Sequence, residues 1–361
     1  MADKDPLADI RQRIDEIDTA IQQLVSERAE CARKVAGVKR EQGNTSHFYR
    51  PEREAQVLRK VQQRNTGPLS DDAISGIFRE IMAVCLALEK PLKVAFLGPE
   101  GTYTHSAAVK HFGSQIESEP VASIEEVFRI VEAGGADFGV VPVENSSEGV
   151  INHTLDLFMK SSLTISGEVE LRIRHNLMTS MTDTDAIERV YAHQQTLAQC
   201  RLWLDNNLPN AERIAVRSNA EAVIMASEHD RTAAIAGTMA SELYDLPVMY
   251  ADIEDEPNNT TRFVVIGKYE SPPSGADRTS LLVFAHNKPG SLFSLLEPLA
   301  KRDISMSNIE SRPSRRGVWE YVFFIDIDGH RDDQNVADAI ADIDKASAMV
   351  TVLGSYPRAV L

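Results

Sequence analysis

Arg11, Arg28 and Lys39 lie in a stretch, residues 7–42, that holds no proline and one glycine, Gly37. On a helix, Arg28 and Lys39 are three turns apart, on one face and within about 17 Å. Arg11 falls about 25 Å from Arg28 along the axis and about 100° around it. Arg11 and Arg28 of one helix therefore do not share a cavity. Cations placed like this can meet an anionic partner. A second candidate is the turn Gly98-Pro99-Glu100-Gly101-Thr102, which follows the apolar run Lys93–Leu97 and precedes helix-like sequence. Free N–H groups at such a helix start suit an anion, and the hydroxyls of Thr102, Thr104 and Ser106 add to it. It matches neither a Walker A loop nor a dinucleotide fingerprint. No cofactor motif appears elsewhere, and no histidines pair at metal-ligand spacing. We therefore expect no cofactor and no metal.

These residues need elements to carry them. Leu7, Ile10, Ile14, Ile17, Ile21, Leu24, Cys31, Val35 and Val38 step by threes and fours, the signature of a helix packed along one seam. Arg28 interrupts the seam, and a cation there calls for an anionic partner. At the helical rise this element is roughly 50 Å long. A ninety-residue domain cannot cover it, so we expect it to pair with a second copy. Pro51 starts a second helix, about 51–64. After Thr66-Gly67-Pro68, Ser70 or Asp71 caps a third, ending near Leu88. Beyond Pro91, strands at 93–97, 138–143, 190–192, 214–216, 233–236 and 264–266 alternate with helices. This predicts an α/β domain of two lobes around a cleft. Ser271-Pro-Pro-Ser-Gly275 reads as a linker. The remainder follows the order β-α-β-β-α-β, the ferredoxin-like plan. The domains expected are 1–90, 91–270 and 276–361.

Composition narrows the function. The 361 residues carry 38 basic and 54 acidic side chains, a net charge of −16. Residues 1–90 are neutral, and the whole surplus of acid lies beyond them. That argues against a partner made of nucleic acid or anionic membrane. No run of apolar residues is long enough to span a bilayer, and the charged start MADKDPLADIRQR does not read as a secretory signal. Cys31, Cys85 and Cys200 are odd in number and widely spaced, which fits a reduced, cytoplasmic protein.

The strings LADIRQRIDEIDTAIQQLVSERAECARKVAGVK, PEREAQVL and IFREIMAVCLALE resemble the all-helical chorismate mutase family. That resemblance implies a Claisen rearrangement of chorismate to prephenate. It implies that Arg11, Arg28, Lys39, Arg53, Glu54, Cys85 and Glu89 bind the substrate, with Lys39 and Glu89 at the reacting ether oxygen. Arg50 stands where enteric relatives have an aspartate and Glu89 where they have a glutamine. The loop QGNTSHFYRPERE looks about two residues longer than theirs, and Arg50 joins the candidate chorismate set. GPEGTYTHSAA, VPVENSSEG, HQQTLAQC and NNTTRFVVIG resemble prephenate dehydratase, whose fold is similar to type 2 periplasmic binding proteins. This implies conversion of prephenate to phenylpyruvate, with Thr261 delivering the proton that the departing ring hydroxyl needs. Thr102, Ser106, Asn145, Ser146, Gln199, Asn259, Thr260 and Arg262 are the implied prephenate-binding set. Arg262 would orient a carboxylate or form a structural ion pair. His105, His153, His175 and His193 are alternative acids, but the family places none there, and His175 reads as structural. Asn287-Lys-Pro-Gly-Ser-Leu and Glu310-Ser-Arg-Pro313 resemble the ACT regulatory module of these dehydratases. It binds phenylalanine between paired modules, here at Asn287, Gly290, Ser291, Leu292, Glu310, Ser311, Arg312 and Pro313. The expected protein is a homodimer or higher homo-oligomer acting on chorismate and prephenate under phenylalanine feedback. A phenylalanine sensor without catalysis, or an arogenate dehydratase, are the alternatives.

A glutamine amide donates a hydrogen bond at any pH, whereas a glutamate donates only when protonated. Mutase activity is therefore expected to fall as pH rises, and Glu89→Gln to flatten the profile. Rates on chorismate from acid to alkaline pH check this, and a flat wild-type profile removes Glu89 from the role.

Overall fold

The computed structural model describes residues 6–41, 49–286, 288–313 and 321–360. The seam helix is α1 (Pro6–Glu41). Pro51 opens α2 (Pro51–Gln63), and Ser70 accepts the Ala73 N–H to cap α3 (Asp71–Ala87). α2 and α3 pack on each other, while α1 makes little contact with either. Its apolar seam faces solvent from Leu7 to Val38, with Ile10 58% and Leu24 64% exposed. Covering one such side chain is worth about 1.5–3 kcal/mol, so α1 is a helix built for a surface that this single chain does not supply.

The next domain has two lobes. The first comprises β1 (Lys93–Leu97), α4 (Tyr103–Phe112), β2 (Glu117–Val121), α5 (Ile124–Glu132), β3 (Phe138–Asn145), β4 (Gly149–Val150), α6 (Asn152–Phe158) and β5 (Thr164–Arg172). The second comprises β6 (Asn176–Met178), β7 (Arg189–His193), α7 (Gln194–Gln199), α8 (Arg201–Asn207), β8 (Glu212–Val216), α9 (Asn219–Glu228), β9 (Thr232–Ala236), α10 (Thr238–Tyr244) and β10 (Val248–Tyr250). The chain then returns to the first sheet as β11 (Thr260–Gly267), inserted antiparallel between β3 and β5 in the order β2-β1-β3-β11-β5. The second sheet runs β10-β6-β9-β7-β8. The outgoing and returning crossings pair with each other, Ile173 N–H donating to Asn259 O and Ile253 N–H to His175 O. They form the floor of the cleft between the lobes.

The C-terminal domain is β12 (Asp277–Phe284), α11 (Ser291–Ala300), β13 (Met306–Pro313), β14 (Tyr321–Asp328), α12 (Gln334–Ala346) and β15 (Met349–Pro357), with strand order β13-β14-β12-β15. This is the ferredoxin-like plan. Leu281, Val283, Ile325 and Ile327 pack under α11 and α12. The other sheet face is not open to water. Leu282, Phe284, Phe324 and Leu353 share one core with Val143, Phe158, Ile165 and Val264 of the first lobe. β12 is consequently buried along its whole length, as a strand covered on both faces must be. β15 approaches so closely that a Cβ on Gly354 would lie 2.1 Å from the Ile165 carbonyl oxygen.

The segment expected as a linker is no free tether. Ser271 and Ser274 are buried, Ser274 is held by Asp277, and Arg59 of α2 donates to the carbonyls of Ser274 and Ala276. Tyr49 inserts between His111, Phe112 and Phe138, seating the helical domain on the first lobe. Beside it Glu54 faces Arg79 at 3.9 Å. Burial raises the Glu54 carboxyl from its ordinary 4.5 to about 7, against the opposing pull of Arg79. Over that window the folded chain holds a proton that the unfolded chain has lost, so stability falls as pH rises. Glu54→Gln is expected to reduce this fall, as measured by thermal unfolding at pH values across the window. Equal slopes in wild type and variant would refute it.

Candidate active sites

Between the two lobes lies a cavity of about 1160 Å³. Thr261 and Asn145 pair across β11 and β3, and Asn145 Nδ2 donates to Thr261 Oγ1 at 2.8 Å and to Asn259 Oδ1 at 2.7 Å. Asn145 Oδ1 accepts the Ser147 and Glu148 N–H groups. The amide is thus fixed in orientation, and Thr261, 7% exposed, is held at the cavity wall. From the second lobe, Gln199 Oε1 accepts from Asn259 Nδ2 at 3.3 Å, and Gln199 Nε2 donates to Glu148 Oε1 at 2.9 Å. With that amide oriented, His175 Nε2, 2.8 Å from Gln199 Oε1, carries the hydrogen. Tyr103 stands 2.8 Å from His175 Nδ1. Burial lowers the His175 pKa, which favours the neutral ring as a fixed prop for Gln199. The structure therefore brings Thr261, Asn145, Asn259 and Gln199 into one network, and adds His175, Tyr103 and Glu148. Glu148 also accepts from Gln195, so it ties the β3–β4 loop of one lobe to α7 of the other.

The other expected prephenate residues are placed differently. Thr102 lines the cavity, but its hydroxyl donates to Leu97 O and caps α4 by accepting the His105 N–H. Ser106 bonds back to Thr102 O and lies outside the cavity lining. Ser146 and Thr260 bond to one another and to Asn258 O, outside the cavity. Arg262 is a correction of the carboxylate reading. Successive strand residues face opposite ways, so beside Thr261 it points out of the cleft, to Glu168, Asp326 and Tyr356. It is a structural ion pair. His105 stacks on Phe96 and accepts the Gly101 N–H, His193 caps α7, and His153 lies exposed on α6.

The cavity carries little cationic charge. Among the described residues of its lining, Arg217 is the one arginine or lysine, and it is paired with Glu221. What faces inward instead are the starts of α4 from one lobe and α9 from the other, capped by Thr102 and Ser218. Each helix start presents unpaired N–H groups and a partial positive charge of about half an elementary unit. Gly101 makes the α4 turn at φ +84°, with Ala240 of the opposite lobe 3.3 Å from where a Cβ would stand.

In the helical domain Arg28 is half-buried and donates to Ile81 O of α3 at 3.4 Å. Cys85, buried, and Glu89, with one carboxylate oxygen buried, follow one and two turns on. Lys39 is half-buried, while Arg11 is exposed far down the unpartnered seam. Arg53 is exposed, Glu54 turns to Arg79, and Arg50 pairs with Glu52 at 2.6 Å. One chain therefore assembles part of the expected set and leaves Arg11 apart from it. In the C-terminal domain Gly290 (φ +81°) precedes α11, Ser291 folds back on Lys288 O, and Leu292 is exposed. Glu310 and Arg312 are half-buried on the edge strand β13, with Ser311 and Pro313 exposed. Arg312 is bonded to Asp156 of α6. Asn287 lies outside the described residues.

The architecture is that of a two-lobed cleft domain joined to a helical domain bearing half-buried cations and to a ferredoxin-like α+β module. Family profiles match in the same order: chorismate mutase type II over residues 10–90, prephenate dehydratase over 94–271 and the ACT domain over 279–345. The chain is 53% identical to a bifunctional chorismate mutase/prephenate dehydratase of Pseudomonas aeruginosa, over the full length of both. Among solved structures it is similar to a prephenate dehydratase from Arthrobacter aurescens in complex with L-Phe (TM-score 0.69, 34% identity, 74% of this chain and 90% of that one). GqqA, described as a quorum-quenching acylase, is comparable in shape (TM-score 0.67, 26% identity, 74% and 98% covered), so the fold alone does not decide the chemistry. The chain belongs to the family of bifunctional chorismate mutase/prephenate dehydratases, enzymes of phenylalanine biosynthesis.

Proposed function

We propose that Thr261 is the proton donor of the dehydratase reaction. The reading rests on the 2.8 Å hydrogen bond from Asn145 Nδ2 to Thr261 Oγ1. With Oγ1 accepting, the hydroxyl keeps its own hydrogen for a substrate in the cavity, and the donated bond steadies the oxygen as that hydrogen leaves. Prephenate loses its ring carboxylate as carbon dioxide, and that electron pair completes the aromatic ring. The C–O bond to the ring hydroxyl breaks, and the departing oxygen takes the Thr261 proton to become water. Solvent then reprotonates Oγ1, so one proton is consumed per turnover. Aromatisation drives the step, which is why a hydroxyl, ordinarily a weak acid, suffices. The two carboxylates of the substrate are received by the helix starts of α4 and α9, one from each lobe. The test is to supply chorismate to the purified protein and identify the products. Wild type is expected to form phenylpyruvate and Thr261→Ala to stop at prephenate, with at least a hundred-fold lower dehydratase rate, roughly the scale of losing a proton donor. Retained dehydratase turnover in the variant would sink the assignment.

For the mutase, Arg28, Lys39 and Glu89 act with Arg11 of a second copy, in a homodimer packed along the α1 seam. The exposed seam and the isolation of Arg11 support this. Arg11→Ala and Arg28→Ala are each expected to be inactive as mutases. Mixed and allowed to exchange subunits, they should regain about a quarter of wild-type activity, because one of the two sites in a mixed dimer is intact and half the dimers are mixed. No recovery on exchange would overturn the shared site. The ACT domain binds phenylalanine and lowers dehydratase turnover, by binding two states of the enzyme unequally. The three free thiols, Cys31, Cys85 and Cys200, support a place in the reducing cytoplasm.

A further inference from the structure

Thr261 and Arg262 are neighbours on β11 and look in opposite directions, Thr261 and Phe263 into the cleft and Arg262 toward the ACT sheet. The pairing of β11 with β3 shifts register between Arg262 and Phe263, an irregularity of the kind that re-aims side chains beside a site. The Arg262 guanidinium is then fixed from three sides. Nε donates to Glu168 Oε2 at 2.9 Å, Nη1 to Asp326 Oδ2 at 2.5 Å, and Nη2 to the Tyr356 hydroxyl at 2.9 Å. Asp326 also accepts from Ser280 Oγ, which lies 2.7 Å from the Tyr356 hydroxyl. Asp326 and Tyr356 bring β14 and β15 onto the Arg262 side chain, and Ser280 of β12 braces both of them. The Arg262 and Asp326 side chains are each 12% exposed, which keeps water from loosening the contact. A planar guanidinium bonded along its fork is held in position and in orientation.

We propose that Asp326 is a positioning residue for the dehydratase step, acting from the ACT domain through Arg262 to hold Thr261 and its Asn145 partner in place. This rests on Thr261 being the proton donor. Thr261 shares a peptide bond with Arg262, so a shift of the guanidinium moves the hydroxyl. A misplacement of about 1 Å at a reacting centre can cost about a hundred-fold in rate. The same contact carries the phenylalanine signal, because any shift of β14 and β15 on effector binding arrives at Arg262. Asp326 is not among the residues that line the cavity, so its effect is expected in kcat rather than in KM.

The full-length enzyme tests this with Asp326→Asn, Asp326→Glu and Tyr356→Phe, assayed on prephenate with and without phenylalanine and on chorismate for the mutase. Asp326→Asn is expected to lower dehydratase kcat about ten-fold or more, with KM within about two-fold. Mutase turnover should be unchanged and the response to phenylalanine lost. Asp326→Glu should regain part of kcat, and Tyr356→Phe should show a smaller loss in the same direction. Wild-type kcat and wild-type phenylalanine response in Asp326→Asn overturn the proposal. If Asp326→Asn does not fold, shown by loss of the mutase as well, Tyr356→Phe decides, and unchanged values there overturn it. Thr261→Ala separates the two readings. Turnover retained in that variant removes the donor assignment, whereas a dead Thr261→Ala beside a normal Asp326→Asn removes only the positioning role.

Discussion

One buried carboxylate ties the dehydratase domain to the ACT domain and its C-terminal tail. Glu168, with its side chain 1% exposed, accepts from Arg262 of its own sheet, from Arg278 at the start of the ACT domain, and from the Ala359 N–H of the C-terminal tail. A buried charge survives only when its lone pairs are met, and three donors from three places meet these. Removing one partner of such a cluster ordinarily costs about 3–5 kcal/mol, a large part of a domain's stability. The tail that Glu168 anchors then reaches the helical domain, where Arg79 donates to Val360 O. Arg59 makes a parallel crossing to Ser274 and Ala276. The modules are separate in family and in topology, yet they share charge, core and backbone contacts at one junction.

Much of this was legible in the sequence, where a short-range pattern decides the outcome. The three-four spacing from Leu7 to Val38 produces α1, Pro51 and Ser70 mark the starts of α2 and α3, and the apolar runs become the strands. The order β-α-β-β-α-β predicts the ACT sheet because each element depends on its own periodicity. The Asn145–Thr261 pair was reachable only through family resemblance, because β3 and β11 pair across more than a hundred residues. Tyr103 and Glu148 escaped for the same reason, and His175, expected as structural, gave no sign of which side chain it supports. Their importance comes from meeting Gln199 across the two lobes, and nothing local distinguishes them. Arg262 shows the converse. The sequence left it between a carboxylate-binding role and a structural ion pair, and the packing of the ACT sheet against β11 decides for the ion pair.

The acidic composition also gains a physical meaning. On the proposed reading, a protein of net charge −16 receives an anion in a cleft whose described lining holds one arginine, with backbone N–H groups carrying the positive field. Such groups need no counter-ion, do not titrate, and are held rigid by the helices they begin. The helical domain takes the other route, with long cationic side chains. The neutral front and acidic body of the sequence are the trace of these two ways of receiving a dianion.

The paired crossings between the lobes have a mechanical consequence. Thr261 lies two residues past Asn259, whose carbonyl accepts from Ile173 of the opposite crossing, so it stands almost on the fulcrum of the two-lobed domain. A rotation of one lobe about that fulcrum would displace the parts of the cleft wall far from the crossings most. The threonine hydroxyl barely travels. On the proposed reading, the chemistry sits at the pivot, away from the parts of the lobes that a hinge rotation would move most.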